Sequence, residues 1–101
     1  VPHFTVEEDV LLPAVADVLP ASDPDVVRML AEHAELRRRA DDVAATPDPD
    51  PQALHELGEL LAAHVRLEER IIFPRIEARL DPVRLRELGA RVSAAEEAAG
   101  S

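Results

Sequence analysis

Two stretches of this chain repeat one pattern of imidazole and carboxylate. His3-Phe4-Thr5-Val6-Glu7-Glu8-Asp9-Val10-Leu11-Leu12-Pro13 aligns without a gap on His64-Val65-Arg66-Leu67-Glu68-Glu69-Arg70-Ile71-Ile72-Phe73-Pro74, 61 residues downstream. Both copies read His, three residues, Glu-Glu, three residues, an apolar residue, Pro. A histidine and a glutamate four residues apart share one face of a helix, so both can reach one ion or two adjacent ions. A third histidine, His33, lies between the copies, with Arg37 four residues on. Imidazole nitrogen combined with carboxylate oxygen is a donor set for divalent transition metals. The chain has no cysteine, which excludes thiolate metal sites, disulfides and cysteine nucleophiles.

These residues can act together only if the elements that carry them aim them at one place. Ala, Leu, Val, Glu, Arg and Asp make up most of the 101 residues, a mixture that favours helices over strands because straight-chain side chains lose little rotamer freedom in a helix. No alternating apolar run argues for a sheet. The steps Asp23-Pro24, Asp50-Pro51 and Asp81-Pro82 read as helix starts, with Asp as N-cap and Pro in the first turn. They divide one domain, residues 1–101, into helices over about 2–19, 24–45, 51–80 and 82–98. The expected fold is all-α, an up-down helical bundle. Pro13 and Pro74 fall inside helices and should kink or loosen them.

Helix phase, at about 100° per residue, then sorts the side chains. With His64 as reference, Leu57, Leu60, Leu61, Leu67, Ile71 and Ile72 form an apolar arc, and Glu68 lies about 40° from His64, inside that arc. Glu69 lies at about 140°, on its edge. The first helix repeats this arrangement, with His3 and Glu7 among Val10, Leu11, Ala14 and Val18, and Glu8 on the edge. His33 is surrounded by Val26, Met29, Leu30 and Leu36. Three histidines and two glutamates therefore point toward the expected core.

A carboxylate buried without a partner costs several kcal/mol, so something must compensate it. A single buried histidine is ordinarily a hydrogen-bonded core residue, and a lone buried glutamate is ordinarily paired with arginine, for which Arg37 is available. Two copies of His-x3-Glu plus a third inward histidine go beyond what packing explains. A divalent metal bound by His3, Glu7, His33, His64 and Glu68 compensates all of them. His55 falls opposite His64 and reads as a surface residue. Glu8, Glu69, Arg38 and Arg39 read as solvated.

The formal charge is −10, and arginine carries every positive charge because lysine is absent. Nucleic-acid binding needs a basic footprint, which is missing, and anionic lipid is disfavoured on the same ground. No apolar run approaches the ~18 residues of a membrane span. No basic segment followed by an apolar one marks a leader, so a cytoplasmic location is the default expectation.

Glu32-His33-Ala34-Glu35-Leu36-Arg37, followed by His64-x3-Glu68-Glu69-x3-Phe73-Pro74, resembles the hemerythrin-like HHE cation-binding domains. His3-x3-Glu7-Glu8-x3-Leu12-Pro13 resembles the same motif at its earlier position, and the likeness covers about residues 2–80. The resemblance implies a four-helix bundle with a non-haem di-iron centre; another divalent cation is the alternative. It implies that His3, His33 and His64 are iron ligands and that Glu7 and Glu68 bridge the ions, with Glu69 in reserve, since some members place the last carboxylate one residue later. Members bind oxygen, sense iron or oxygen, respond to nitric oxide or help repair iron–sulfur clusters. The function expected here is binding or sensing of oxygen, iron or nitric oxide. The alternatives are a di-iron enzyme acting on oxygen, peroxide or nitric oxide, and a metal-free helical interaction domain.

Two departures accompany the resemblance. Oxygen carriers of the family have a second histidine one turn after the one matched by His33; Arg37 stands there. The family's first helix, with its own histidine, would lie upstream of Val1, so the chain is expected to form a homodimer or to be part of a longer protein. Either would cover apolar surface that the missing helix leaves exposed.

Overall fold

The computed structural model describes residues 2–100, and among them every regular element is helical. Four helices form the bundle. α1 (2–14) runs through Pro2–Val6, Glu7–Leu11 and Leu12–Ala14; α2 is Pro24–Ala45; α3 (51–79) runs through Pro51–Leu67, Glu68–Ile72 and Phe73–Arg79; α4 is Pro82–Gly100.

The Asp-Pro steps start α2, α3 and α4, as their chemistry requires. The Asp23 carboxylate accepts from the Asp25 N–H at 2.9 Å, Asp50 from Gln52 at 2.9 Å and Asp81 from Arg84 at 2.8 Å. Each bond satisfies an N–H that the helix leaves free, and such a cap contributes about 1 kcal/mol. Asp23 has a second duty. Arg75 of α3 forks onto it at 2.7 and 2.6 Å, tying two helices together and holding its carboxyl down to about 2.

α1 ends at Ala14, five residues earlier than the apolar pattern implies. Val15 leaves helical geometry at φ −115°, ψ 12°, and Leu19, which precedes Pro20, is biased away from it. The carbonyls this releases find arginines: Ala14 O accepts from Arg84 at 2.8 Å and Val18 O from Arg79 at 2.5 Å.

The internal prolines loosen their helices in the same way in both copies. Glu7–Leu11 and Glu68–Ile72 are π-helical, closed by Leu12 N–H to Glu7 O and by Phe73 N–H to Glu68 O. Proline lacks an N–H and its ring presses on the preceding turn, and a widened turn relieves that pressure. A π turn advances each residue by less than 100°, which changes what lies beyond it. Ile72 and Leu11 are buried in place of the centrally expected Ile71 and Val10, and Ile71 is 37% exposed.

Packing is uneven along the bundle. Below the level of His3, His33 and His64 all four helices pack, with α4 running up α1 from Arg84 beside Asp17 to Glu96 beside His3. The core there comprises Leu11, Val15, Leu19, Val26, Met29, Leu67, Ile72, Ile76, Leu80 and Leu88. Above that level α2 and α3 pair alone, joined by contacts such as Arg39 with Glu56 at 3.7 Å. Leu54, Leu61 and Val65 therefore form an exposed apolar stripe on α3. Leu61, expected to face the core, is 45% exposed because no helix among the described residues covers that turn.

Candidate metal centre

α1, α2 and α3 each bring a donor to the middle of the bundle. The widened turns start at Glu7 and Glu68, so each carboxylate leaves its helix where the backbone opens. His33 and His64 sit one helical face away on regular α-helix. All four are buried, Glu7 at 2% exposure and Glu68 at 4%, and one ligand atom from each lies within 4.8 Å of the others.

His33 Nε2 and His64 Nε2 are 3.0 Å apart. Glu7 Oε1 lies 3.1 Å from His33 Nε2, and Glu68 Oε2 lies 3.2 Å from His64 Nε2 and 3.7 Å from His33 Nε2. Donors around one tetrahedral ion with bonds of about 2.0–2.2 Å are roughly 3.3–3.6 Å apart, a spacing that the separations of 3.0–3.7 Å bracket. Both Glu7 oxygens and Glu68 Oε2 are buried and receive no well-formed hydrogen bond. A buried carboxylate oxygen left in that condition is costly, and a cation removes the cost. The residues fit a divalent cation or a pair of them.

The other ring nitrogens are held by carboxylates. His33 Nδ1 lies 2.7 Å from Glu8 Oε2, and His64 Nδ1 lies 2.8 Å from Glu32 Oε1. An Nδ1–H donating there turns Nε2 toward the cluster, the arrangement by which outer carboxylates fix the orientation and raise the basicity of a ligating histidine. Arginines hold both carboxylates in turn: Arg37 Nη1 donates to the two oxygens of Glu8 at 2.9 and 2.8 Å, and Arg28 Nε donates to Glu32 at 3.0 Å. Phe4 closes the site from above. It is buried, stacks on the His33 ring at 4.2 Å and meets the His64 ring edge-on at 5.3 Å.

So many carboxylates around two imidazoles bind protons tightly. Burial works to lower the His33 pKa, but the carboxylates of Glu68, Glu7 and Glu8 around the ring outweigh it and push it up to about 9. His64 is raised against burial in the same way by Glu68 and Glu32. Burial, reinforced by the neighbouring Glu68 and opposed by His33, lifts Glu7 to about 7. Burial would also raise Glu68, yet His33 and His64 hold it well below the usual carboxylate range. Glu8, with Arg37 and His33 against it, lies below its ordinary value despite burial.

The sequence expectations separate clearly here. Glu7, His33, His64 and Glu68 come together. His3 stands at the rim, 53% exposed rather than in the core, with Nε2 3.5 Å from Glu7 Oε2 and 4.0 Å from Glu68 Oε1. Its Nδ1 side faces Glu96 of α4 at 3.7 Å, which leaves the ring half in solvent. Glu69 and His55 are exposed, as their helix phase requires. Sequence reasoning missed Glu8, Glu32 and Phe4. Helix phase puts Glu8 on a solvated edge, but its side chain is 24% exposed and engages His33. The signal that finds it is general: an inward histidine needs an acceptor for its second ring nitrogen.

Residues 1–76 match the family model described as Hemerythrin HHE cation binding domain. No curated protein and no solved structure matches the chain significantly. The match spans α1, α2 and α3 through Ile76 and thus contains every donor of the cluster; with that cluster carried on helices in the family's pattern, the chain belongs to the hemerythrin HHE cation-binding family.

Proposed function

We propose that this protein is a non-haem di-iron protein that binds or senses oxygen, nitric oxide or iron, with His3, His33, His64, Glu7 and Glu68 as the ligands. The observation that carries the reading is how the two inner carboxylates divide their oxygens. Glu7 turns Oε1 toward His33 and Oε2 toward His3. Glu68 turns Oε2 toward His33 and His64 and Oε1 toward His3. A carboxylate with one oxygen on each side is what a bridge between two ions requires. Two imidazoles and one oxygen of each carboxylate would hold one ion, and His3 with the other two oxygens would hold a second.

Bound iron would supply Lewis acidity and one-electron redox change at coordination positions the protein leaves open. The protein's own part is structural and electrostatic. Glu8 and Glu32 orient the imidazoles, Phe4 keeps water from the upper side, and Arg37 neutralises Glu8 at the place where relatives that carry oxygen have a ligand. An arginine there withholds one imidazole, which favours a sensor or binder with open positions over a saturated centre. Neither Tyr nor Trp is present to relay an aromatic radical. No helix among the described residues is long and apolar enough to cross a membrane.

Elemental analysis of protein from iron-replete cells, with optical spectra before and after admitting air, tests the reading. Close to two irons per chain and an oxygen-dependent absorbance are expected. Less than one ion per chain after anaerobic reconstitution would overturn it.

A further inference from the structure

A second space adjoins the cluster on its outer side. A cavity of about 420 Å³ lies between α1, the end of α3 and α4, and it reaches from solvent to Glu7 and His3. A diatomic ligand needs far less, since a water takes about 30 Å³ and a dry cavity of about 150 Å³ holds benzene. Pockets for small organic ligands begin at about 300 Å³. The walls here are Leu11, Phe73, Ile76, Leu88 and Val92, and one whole side is α4. α4 lies beyond the residues 1–76 that match the family.

Charge narrows the occupant. The ionisable residues on the lining are Glu7, Glu77, Glu96 and His3, and no arginine lies among them. An organic acid would be repelled at the mouth, where Glu77 and Glu96 stand. Gly89 points to the same conclusion about space. It sits within α4, where glycine weakens a helix. Its φ is not positive, and a Cβ built on it meets nothing within 4 Å. It lines the cavity, and a side chain added there would have open space to extend into.

We infer that this cavity binds an uncharged, largely apolar organic molecule of one or two rings, seated against the Glu7–His3 edge of the metal cluster. Its consequence for the metal rests on the functional reading above; the binding itself does not.

Indole is the probe. The protein has no Trp or Tyr, so long-wavelength emission comes from indole alone. Titration into the metal-loaded full chain should give a blue-shifted, saturable emission with a Kd of roughly 0.1–1 mM, the range open to so small a ligand. Indole-3-carboxylate should bind at least tenfold more weakly. Gly89→Leu, which fills the mouth while improving the helix, should weaken indole at least tenfold. Gly58→Leu, the same change on an exposed turn of α3, should leave it unchanged. In methyl spectra, Leu88 and Val92 should shift with indole. No saturable binding, equal binding of the carboxylate, or equal loss in both glycine variants overturns the inference. An affinity that falls with rising protein concentration also overturns it, because a second copy would then cover the cavity. Metal content, measured on the same samples, separates the two readings: indole binding without metal refutes only the metal centre, and metal without indole binding refutes only the cavity.

Discussion

Glu8→Ala tests whether the outer carboxylates set the affinity of the centre. The substitution removes the acceptor 2.7 Å from His33 Nδ1 and the carboxylate that Arg37 clamps. His33 is fully buried, so its Nδ1–H is left without an acceptor, and the ring loses the anion that raises its basicity. A hydrogen bond to a charged group contributes about 1.5–3 kcal/mol. Loss of an outer-shell partner of a metal-ligating histidine lowers affinity about 10–100-fold, or about 1.4–2.8 kcal/mol. The two routes agree, and they set the expected loss of metal affinity. Glu8→Gln keeps an acceptor oxygen but drops the charge, so its loss should be smaller. Glu69→Ala is the control: it removes the same charge from the exposed side of the other copy of the motif. The assay is competition against a chromophoric chelator under anaerobic ferrous conditions, with far-UV circular dichroism to confirm folding. Equal losses for Glu8→Ala and Glu69→Ala would show that net charge alone acts, and the positioning argument would be wrong. No loss for Glu8→Ala would refute it outright.

Three further outcomes follow from the same geometry. Glu68→Ala should abolish stoichiometric metal binding and Glu69→Ala should leave it within about twofold, given one buried and one exposed carboxylate; comparable metal loss in both would assign the later carboxylate as ligand. Metal must displace protons from His33, raised to about 9, and Glu7, raised to about 7, so affinity should climb by up to tenfold per unit between about pH 7 and about pH 9, where His33 still holds its proton, and more steeply below about pH 7, where Glu7 holds one too; an affinity flat across that range would sink the assignment. The exposed stripe Leu54, Leu61, Val65 on α3 should drive self-association visible by light scattering, and Leu61→Glu should reduce it without loss of metal; a wild-type chain that stays monomeric at high concentration would refute this.

Much of the fold is written locally. The Asp-Pro steps mark the starts of α2, α3 and α4, since capping is decided by two adjacent residues. The four buried members of the cluster are legible because a glutamate and a histidine on one apolar helix face carry a desolvation cost that packing alone does not repay. What stays hidden depends on distances across the bundle. Glu8 engages a ring 25 residues away, and Glu32 one that is 32 away. Nothing in their own neighbourhoods distinguishes them from Glu69, whose place in the repeat is that of Glu8 yet which lies in solvent. The repeat fixes the helix phase; the identity of the facing helix decides what each edge position meets. α1 meets α2 along the edge that carries Glu8, and Arg37 waits there.

The prolines show how one local rule can carry a functional consequence. Read as a uniform helix, each copy of the motif places its last buried aliphatic residue one position too early. The widened turns ahead of Pro13 and Pro74 correct that by slowing the rotation of the helix, so that Leu11 and Ile72 reach the core. The same turns begin at Glu7 and Glu68. A residue at the start of a π turn lies where the helix is locally wide, and such turns recur at functional sites. Proline thus acts twice in each copy: it forces the wide turn, and the wide turn sets a buried carboxylate and the apolar residue beneath it in one register. Without Pro13 the phase of a regular helix would return Val10 toward the core and turn Leu11 away from Phe73 and Ile76, and the floor under Glu7 would have to repack. The spacing from glutamate to proline is therefore as much a part of the metal-site motif as the spacing from histidine to glutamate.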